Sequence, residues 1–296
     1  MRIGITGATG FVGRWIVLIA RSGGHQVIGF SRKPKSGRAF NGMRDFSSPE
    51  KADFSGLDAL IHLSGEPVFG LWTKAKKDAI RRSRVNLTLS LATRLKEMSD
   101  RPKTLVTASG IAFYGDQGDT ELTEASPGGE GFLAEVSKAW EAAAAEAEDL
   151  TRVVSLRIPM VLGRGGGPAV MLGRVFKLGL GGRLGSGRQW TPWIHVQDLA
   201  RLFLFACENE TLKGPVIATA PEPVTNREFT AAIAAAVRRP AVFPVPKFAL
   251  NLLPGGIGEI FLQSQRARPA AATAAGFHWI HPDLRAAARD VFGREP

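Results

Sequence analysis

The sequence predicts an α/β fold: a Rossmann-type doubly wound parallel sheet with a smaller C-terminal α/β substrate region. Three observations predict it. Residues 2–13 read Arg-Ile-Gly-Ile-Thr-Gly-Ala-Thr-Gly-Phe-Val-Gly, a strand-length apolar run, a glycine turn and the start of a helical pattern. Strand-length and helix-length segments then alternate through Ile158, as a parallel sheet covered by helices on both faces requires. Finally, 296 residues with 44% hydrophobic content suffice for one large or two smaller domains.

The first strand is Arg2 to Thr6, and Phe11 to Ala20 is the first helix. Gly7, Gly10 and Gly13 between them allow a tight turn, backbone approach to a pyrophosphate, and close packing of helix on sheet. The helix start adds free N–H groups and partial positive charge, so the stretch reads as a dinucleotide-binding turn. His25 to Ser31 is the second strand, and its end faces an adenosine ribose. An NAD-selective site places an acid there; here Ser31 is followed by Arg32 and Lys33. The guanidinium fork of Arg32 suits a 2′-phosphate and can stack on adenine, which predicts NADP(H) over NAD(H).

Gly42 to Phe46 is the third strand; Asp45 there either meets adenine or is a simple turn acid. Leu57 to Leu63 is the fourth, running into Ser64-Gly65-Glu66-Pro67, small residues where backbone passes near a cofactor. Thr73 to Met98 reads as one long helix, Lys103 to Ala108 as the fifth strand, Phe132 to Leu150 as a helix and Arg152 to Ile158 as the sixth strand. From Gly163 to Gly187 ten residues are glycine, which reads as a functional loop. It ends in Arg188-Gln189-Trp190-Thr191-Pro192-Trp193-Ile194-His195, read as a pocket wall or else as a core cluster with Trp190 and Trp193 packed and His195 satisfied by backbone. Asp198 to Cys207 is an apolar helix, Pro215 to Thr219 a last strand, and Thr225 or Asn226 caps a helix through Val237. Beyond Pro240 the chain forms a small appendage on the substrate side. The expected division is 1–162 as the NADP-binding domain, with sheet contributions from about 214–238, then 163–213 as loop and substrate-side segment, and 239–296 as a small C-terminal domain.

Charge and cysteine content narrow the classes. The formal charge is +11. Lys74, Lys76, Lys77, Arg81, Arg82 and Arg84 cluster on one helix, either a solvated or cofactor-attracting face or, as a minor option, a nucleic-acid surface. Cys207 is the one cysteine, so no intramolecular disulfide forms, which suits a reducing compartment; a first strand starting at residue 2 leaves no signal peptide. A cytoplasmic location, a small-molecule substrate, no nucleic-acid or membrane partner, no metal and a possible homodimer are expected. The run Phe11–Ala20 is too short to span a bilayer and contains Arg14.

Taken together, the motifs resemble an atypical extended short-chain dehydrogenase/reductase, an epimerase-like family of nucleoside-diphosphate-sugar epimerase type with a C-terminal domain of unknown function. The carriers are Thr6-Gly7-Ala8-Thr9-Gly10-Phe11-Val12-Gly13, His62-Leu63-Ser64-Gly65-Glu66-Pro67, Ser83-Arg84-Val85, Phe132-Leu133-Ala134-Glu135 and Trp140-Glu141. Further carriers are Gly179–Gly182, Gly185–Gln189, Trp193-Ile194-His195 and, in the tail, Ser264-Gln265-Arg266, Pro269 and Gly276-Phe277. The resemblance implies NADP(H) held by Gly7, Thr9, Gly10, Phe11, Val12, Gly13, Ser31, Arg32, Lys33, Leu63, Ser64, Gly65, Glu66, Arg84, Lys138 and Pro159. It implies an oxidoreductase or epimerase acting on a small carbonyl or hydroxyl compound or a nucleotide sugar.

The usual machinery of that superfamily is a Tyr four residues before a Lys, with a Ser or Thr. The Lys and the oxidised nicotinamide lower the phenol pKa from about 10. Ser137-Lys138 fits the Lys end, but Ala134 stands where the Tyr belongs. Tyr114 is the only tyrosine and its fourth following residue is Gly118; Gly110 falls at the hydroxyl position with Ser109 one residue off, and Arg84 replaces a common Asn. Two alternatives follow. In the first, Tyr114, Ser109 or Glu135 supplies the proton while Lys138 orients the ribose, with Glu135 turned roughly 100° from the Ala134 face. In the second, the protein binds NADP(H) without efficient turnover, as a redox sensor or scaffold.

Overall fold

The computed structural model describes residues 1–31, 43–252 and 257–293. The chain begins β1 (Arg2–Thr6), α1 (Phe11–Ser22), β2 (Gln26–Ser31), β3 (Met43–Asp45) and β4 (Ala59–His62). Next come α2 (Lys74–Arg81), a wider π-type turn (Arg82–Asn86), α3 (Leu87–Glu97), β5 (Thr104–Gly110), β6 (Glu121–Leu122), α4 (Phe132–Ala145) and β7 (Arg152–Ile158). Then follow β8 (Met160–Leu162), α5 (Gly167–Lys177), β9 (Trp193–His195), α6 (Val196–Glu208), β10 (Gly214–Ile217) and α7 (Asn226–Val237). The tail holds α8 (Lys247–Asn251), α9 (Ile257–Ile260), β11 (Arg266–Ala267), α10 (Ala270–Ala274) and α11 (Leu284–Phe292).

Seven strands form one sheet in the order β10-β7-β5-β4-β1-β2-β3, and every pairing in it is parallel. The order reverses between β1 and β4, and the crevice beyond their carboxyl ends is where such sheets place ligands. Alternation along the strands sends Ile3, Ile5, Ile61 and Val154 to one face, packed with Ile16, Leu199 and Phe203 of α1 and α6. The other face joins Leu60, Leu105 and Val153 to Leu91 and Leu95 of α3, with Phe30, Phe46 and Phe54 beside them. Strands buried on both sides are why the runs read as continuously apolar.

Four segments differ most from the sequence reading, the first being the helix expected from Phe132 to Leu150, which ends at Ala145. The expected helix Thr73–Met98 is continuous in outline but passes through the π-type turn. The glycine-rich stretch 163–187 is not all loop, because α5 occupies 167–177, with Ala169, Gly173 and Phe176 packed inward. Segment 188–195 is mostly interior: Trp193 and His195 lie in β9 at 1% and 2% exposure, so the reading of a pocket wall gives way to that of a packed cluster. His195 is satisfied there by backbone and by a side chain: its Nδ1 accepts from the Gln197 N–H at 3.3 Å, and its Nε2 lies 3.2 Å from the Asp290 carboxylate of α11.

The tail is sewn into the main body. β11 pairs with β6, Ala272 and Phe277 join the core under α1 and α6, and α11 packs on α7 and α5. The buried Asp198 carboxylate accepts from the backbone N–H of Ile280 and His281 at 2.7 and 2.8 Å, fixing the segment before α11.

Helix α7 starts with a full capping box: Thr225 Oγ accepts from the Glu228 N–H, and the Glu228 carboxylate accepts from the Thr225 N–H at 2.7 Å. Thr225→Ala is expected to lower unfolding free energy by about 1 kcal/mol, read from the urea midpoint at unchanged slope.

Candidate dinucleotide site

The glycine turn is built by contacts that exclude side chains. Gly7 has φ +71°, a conformation strained for any residue with a Cβ. A Cβ there would sit 3.3 Å from the Leu63 carbonyl carbon, at the reversal point between β1 and β4. The Gly10 N–H donates to the Gly7 carbonyl at 2.9 Å and closes the turn. A Cβ on Gly13 would collide with that same carbonyl oxygen and lie 2.8 Å from Ala8 Cα, so α1 can approach the turn only with glycine. Helix α1 begins at Gly10 with no side-chain cap and no acid in its first turn. Its leading N–H groups are therefore left for an outside acceptor. Gly7, Thr9, Gly10, Phe11, Val12 and Gly13 form a single structural unit.

The ends of β1 and β4 are tied beneath this turn. Thr6 Oγ1 lies 2.7 Å from His62 Nδ1 and accepts from the Leu63 N–H at 3.1 Å. His62 is fully buried, which pushes its pKa down to about 4, and its Nε2 has no partner among the described residues. The sequence reading quoted His62 only as part of a motif; a histidine ending an otherwise apolar strand beside a Thr was the available signal.

Leu63, Ser64, Gly65 and Glu66 lead out over the crevice. The Glu66 N–H donates to Ser83 Oγ at 2.8 Å, and the Arg84 guanidinium donates to the Glu66 carbonyl at 2.8 Å. Arg84 stands in the π-type turn, stacks over Trp140 at 5.2 Å, and approaches within 3.3 Å of where a Gly65 Cβ would be. Burial lowers its pKa to about 10, with Glu66 opposing the shift. Wider winding of this kind is frequent at functional sites, and here it turns a cation toward the post-β4 loop. The rest of the basic cluster is largely engaged. Lys76 pairs with Glu66 at 2.6 Å, Lys77 stands over Trp72 and Phe132, and Arg81 pairs with Glu135.

At the end of β2, the Ser31 carbonyl accepts from the Phe46 N–H. Asp45 lies opposite Ser31 in the register, but its carboxylate takes the N–H and hydroxyl of Ser47, so of its two readings the turn acid holds. Arg32 and Lys33 lie outside the described residues. Pro159 is half-buried between β7 and β8 on the same edge of the sheet.

Of the three expected catalytic side chains, Tyr114 and Ser109 share one network and Lys138 stands apart from it. Tyr114 is completely buried; its hydroxyl donates to the Thr123 carbonyl at 2.9 Å and accepts from Arg157 at 2.6 Å. Arg157 forks onto Glu141 at 2.9 and 2.8 Å, and Ser109 Oγ donates to Glu141 at 2.7 Å. Burial raises the Tyr114 phenol to about 12, against the pull of Arg157. This departs from the expectation that Tyr114 or Ser109 hands over a proton, because both hydroxyls are committed inside one network behind the crevice. Lys138 is exposed on α4, its Nζ donating to the Gly129 carbonyl at 2.5 Å. A Cβ on Gly128 would lie 2.5 Å from Lys138 Cε, so that glycine makes room for the lysine. The hydroxyl beside Gly110 belongs to Ser137, whose Oγ is 3.1 Å from where a Gly110 Cβ would stand. The sequence reading named Ser137 only as the neighbour of Lys138.

The second glycine cluster reaches the first through Phe11. Its ring packs so close to Gly163, Gly166 and Gly167 that a Cβ on any of the three would overlap it. The linear sequence offered no pairing between these two segments.

Comparison with known proteins gives matches of three kinds. The family model described as NAD dependent epimerase/dehydratase family matches residues 3–218, and one described as a domain of unknown function matches 245–291. The epimerase family protein SDR39U1 of Mus musculus is 36% identical over 98% of this chain and 99% of its own. Epimerase family protein YfhF of Bacillus subtilis is 34% identical over 96% of this chain and 95% of its own. A crystal structure of the human epimerase family protein SDR39U1 with NADPH superposes at TM-score 0.92, with 33% identity and 99% of both chains covered.

Two pH effects follow from the buried groups. A His that stays neutral in the fold while the unfolded chain takes up a proton costs stability below its unfolded pKa. Unfolding free energy is therefore expected to fall as pH drops from about 6.5 toward 4. The fall should be shallower in His62→Asn, with His195, whose pKa burial also lowers, keeping part of it. At the alkaline end, a phenol that keeps its proton stabilises the fold below the unfolded value of about 10, and that contribution is lost between pH 10 and 12. Tyr114→Phe should remove this second slope.

Proposed function

This chain belongs to the NAD dependent epimerase/dehydratase family, and from that premise we propose that it binds NADP(H) and works as an oxidoreductase or epimerase. The substrate class is a small carbonyl or hydroxyl compound or a nucleotide sugar. The observation that carries the reading is the turn at Gly7–Gly13, where the cradle a Cβ would fill stays open and the start of α1 is uncapped. Those residues fit a diphosphate, and the human relative was solved with NADPH.

Each residue then has a task. The first amides of α1 hold the diphosphate. Ser31, with no carboxylate to repel a 2′-phosphate, leaves that group to Arg32 and Lys33. Leu63 to Glu66 and Pro159 line the path of the dinucleotide, with Arg84 fixing the backbone of Gly65 and Glu66. Lys138 places its ammonium toward the nicotinamide ribose. When bound, the nicotinamide exchanges a hydride with a substrate carbon. Ser137 on α4 is the hydroxyl nearest the expected position, and Tyr114 and Ser109 hold the wall behind it through Arg157 and Glu141.

A second reading, a redox sensor or scaffold with slow turnover, draws support from one observation: Ala134 replaces the usual Tyr and the only phenol is buried.

Titration and turnover test both. Arg32→Ala should raise the Kd for NADPH at least about tenfold, the cost of one charge-assisted fork, and leave that for NADH nearly unchanged; equal effects refute the 2′-phosphate assignment. Incubation with NADPH and a panel of carbonyls should show absorbance loss, or incubation with NADP+ and a panel of nucleotide sugars should show epimerised product, each reduced in Lys138→Met. Silence across the panel with NADPH binding intact favours the second reading.

A further inference from the structure

We propose that the surface formed by the end of α5, the following loop and the 242–252 segment docks on an anionic lipid bilayer. The surface is continuous. The Arg183 carbonyl accepts from the Val245 N–H at 2.9 Å, the Gly185 N–H donates to the Val245 carbonyl at 2.8 Å, and Gly182 lies directly against the Phe243 backbone. These contacts set the loop after α5 beside the stretch that leads into α8.

Large apolar side chains crowd its outer side. Leu178 is 74% exposed, Leu180 66%, Val242 68%, Phe243 68%, Phe248 69% and Leu252 77%. Val170, Met171 and Val175 continue the patch along the outer stripe of α5, whose opposite side buries Ala169, Gly173 and Phe176. Single exposed apolar residues are ordinary on a protein surface; a run of them on adjoining segments marks an interaction surface.

The charge pattern selects the occupant. Residues 163–188 and 238–252 contain no Asp or Glu, and the charged groups among the apolar ones are Arg174, Lys177, Arg183 and Lys247. A two-fold contact with a second copy would set these cations against themselves, on a chain already at +11. Apolar side chains that enter the acyl boundary, ringed by cations that meet phosphate head groups, match an anionic leaflet. Such a contact is peripheral: among the described residues no helix is long and apolar enough to cross a membrane. The sequence expectation of no membrane partner rested on the absence of a span, which a peripheral contact does not need. The proposal is independent of turnover and of the dinucleotide turn.

The test is vesicle flotation of the full chain at about 0.15 M salt. Vesicles of phosphatidylglycerol mixed into phosphatidylcholine should carry the protein up, and pure phosphatidylcholine vesicles should not. Leu180→Ser with Phe243→Ser, and separately Lys177→Glu with Lys247→Glu, should each raise the lipid needed for half-binding about tenfold or more, since each buried apolar group and each cation contributes on this scale. Thermal melting of both variants should match the parent, which separates loss of binding from loss of fold. Absence of flotation with anionic vesicles, or flotation untouched by both variants, overturns the proposal. A parent that sediments as a dimer, is dissociated by Leu180→Ser with Phe243→Ser and ignores vesicles assigns the patch to a second copy and overturns it as well.

Discussion

The structure depends on one steric constraint: the backbone between β1 and α1 must pass so close to itself that no side chain fits. Gly13 against the Gly7 carbonyl sets how deep α1 sits on the sheet. Gly7 against Leu63 sets how near that helix start comes to the end of β4. Both contacts put the positive end of α1 at the one crevice the strand order opens. A methyl group at Gly13 would lift the helix from the turn and blunt that charge.

Everything else at this edge is arranged around the turn. Thr6 and His62 tie the two strand ends below it, and the price is a histidine held neutral by burial. Phe11 carries the turn's position to the 163–167 segment, where three glycines close on its ring. Arg84 holds the loop after β4 from the other side. The network of Arg157, Glu141, Ser109 and Tyr114 is a buried, fully bonded wall, and removing one member of such a pair costs several times what an exposed pair would.

The sheet was legible because its strands are apolar on both faces and its helices keep a clear period. Arg152–Ile158 and Arg2–Thr6 read to the residue, and of the two expected caps of α7, Thr225 and Asn226, the structure uses Thr225. The glycine turn was equally plain, since steric need at Gly7 and Gly13 leaves no other residue type. What sequence alone could not show was depth. Ser109 near the end of β5 and Tyr114 just beyond it lie at the ligand edge, yet Ser109 is taken by Glu141 and Tyr114 by Arg157, 32 and 43 positions away in the chain. Trp193 and His195 looked like pocket residues by composition, but their partners, above all Asp290 on α11, come from the far end of the chain. The same distance hid the contact between Phe11 and the second glycine cluster.

Calorimetric titration of the ligand-stripped full chain puts the dinucleotide turn to the test. A single site per chain is expected that takes NADPH more tightly than NADH, with binding abolished or strongly weakened in Gly13→Ala. No heat with either dinucleotide, or undiminished binding in that variant, would contradict it.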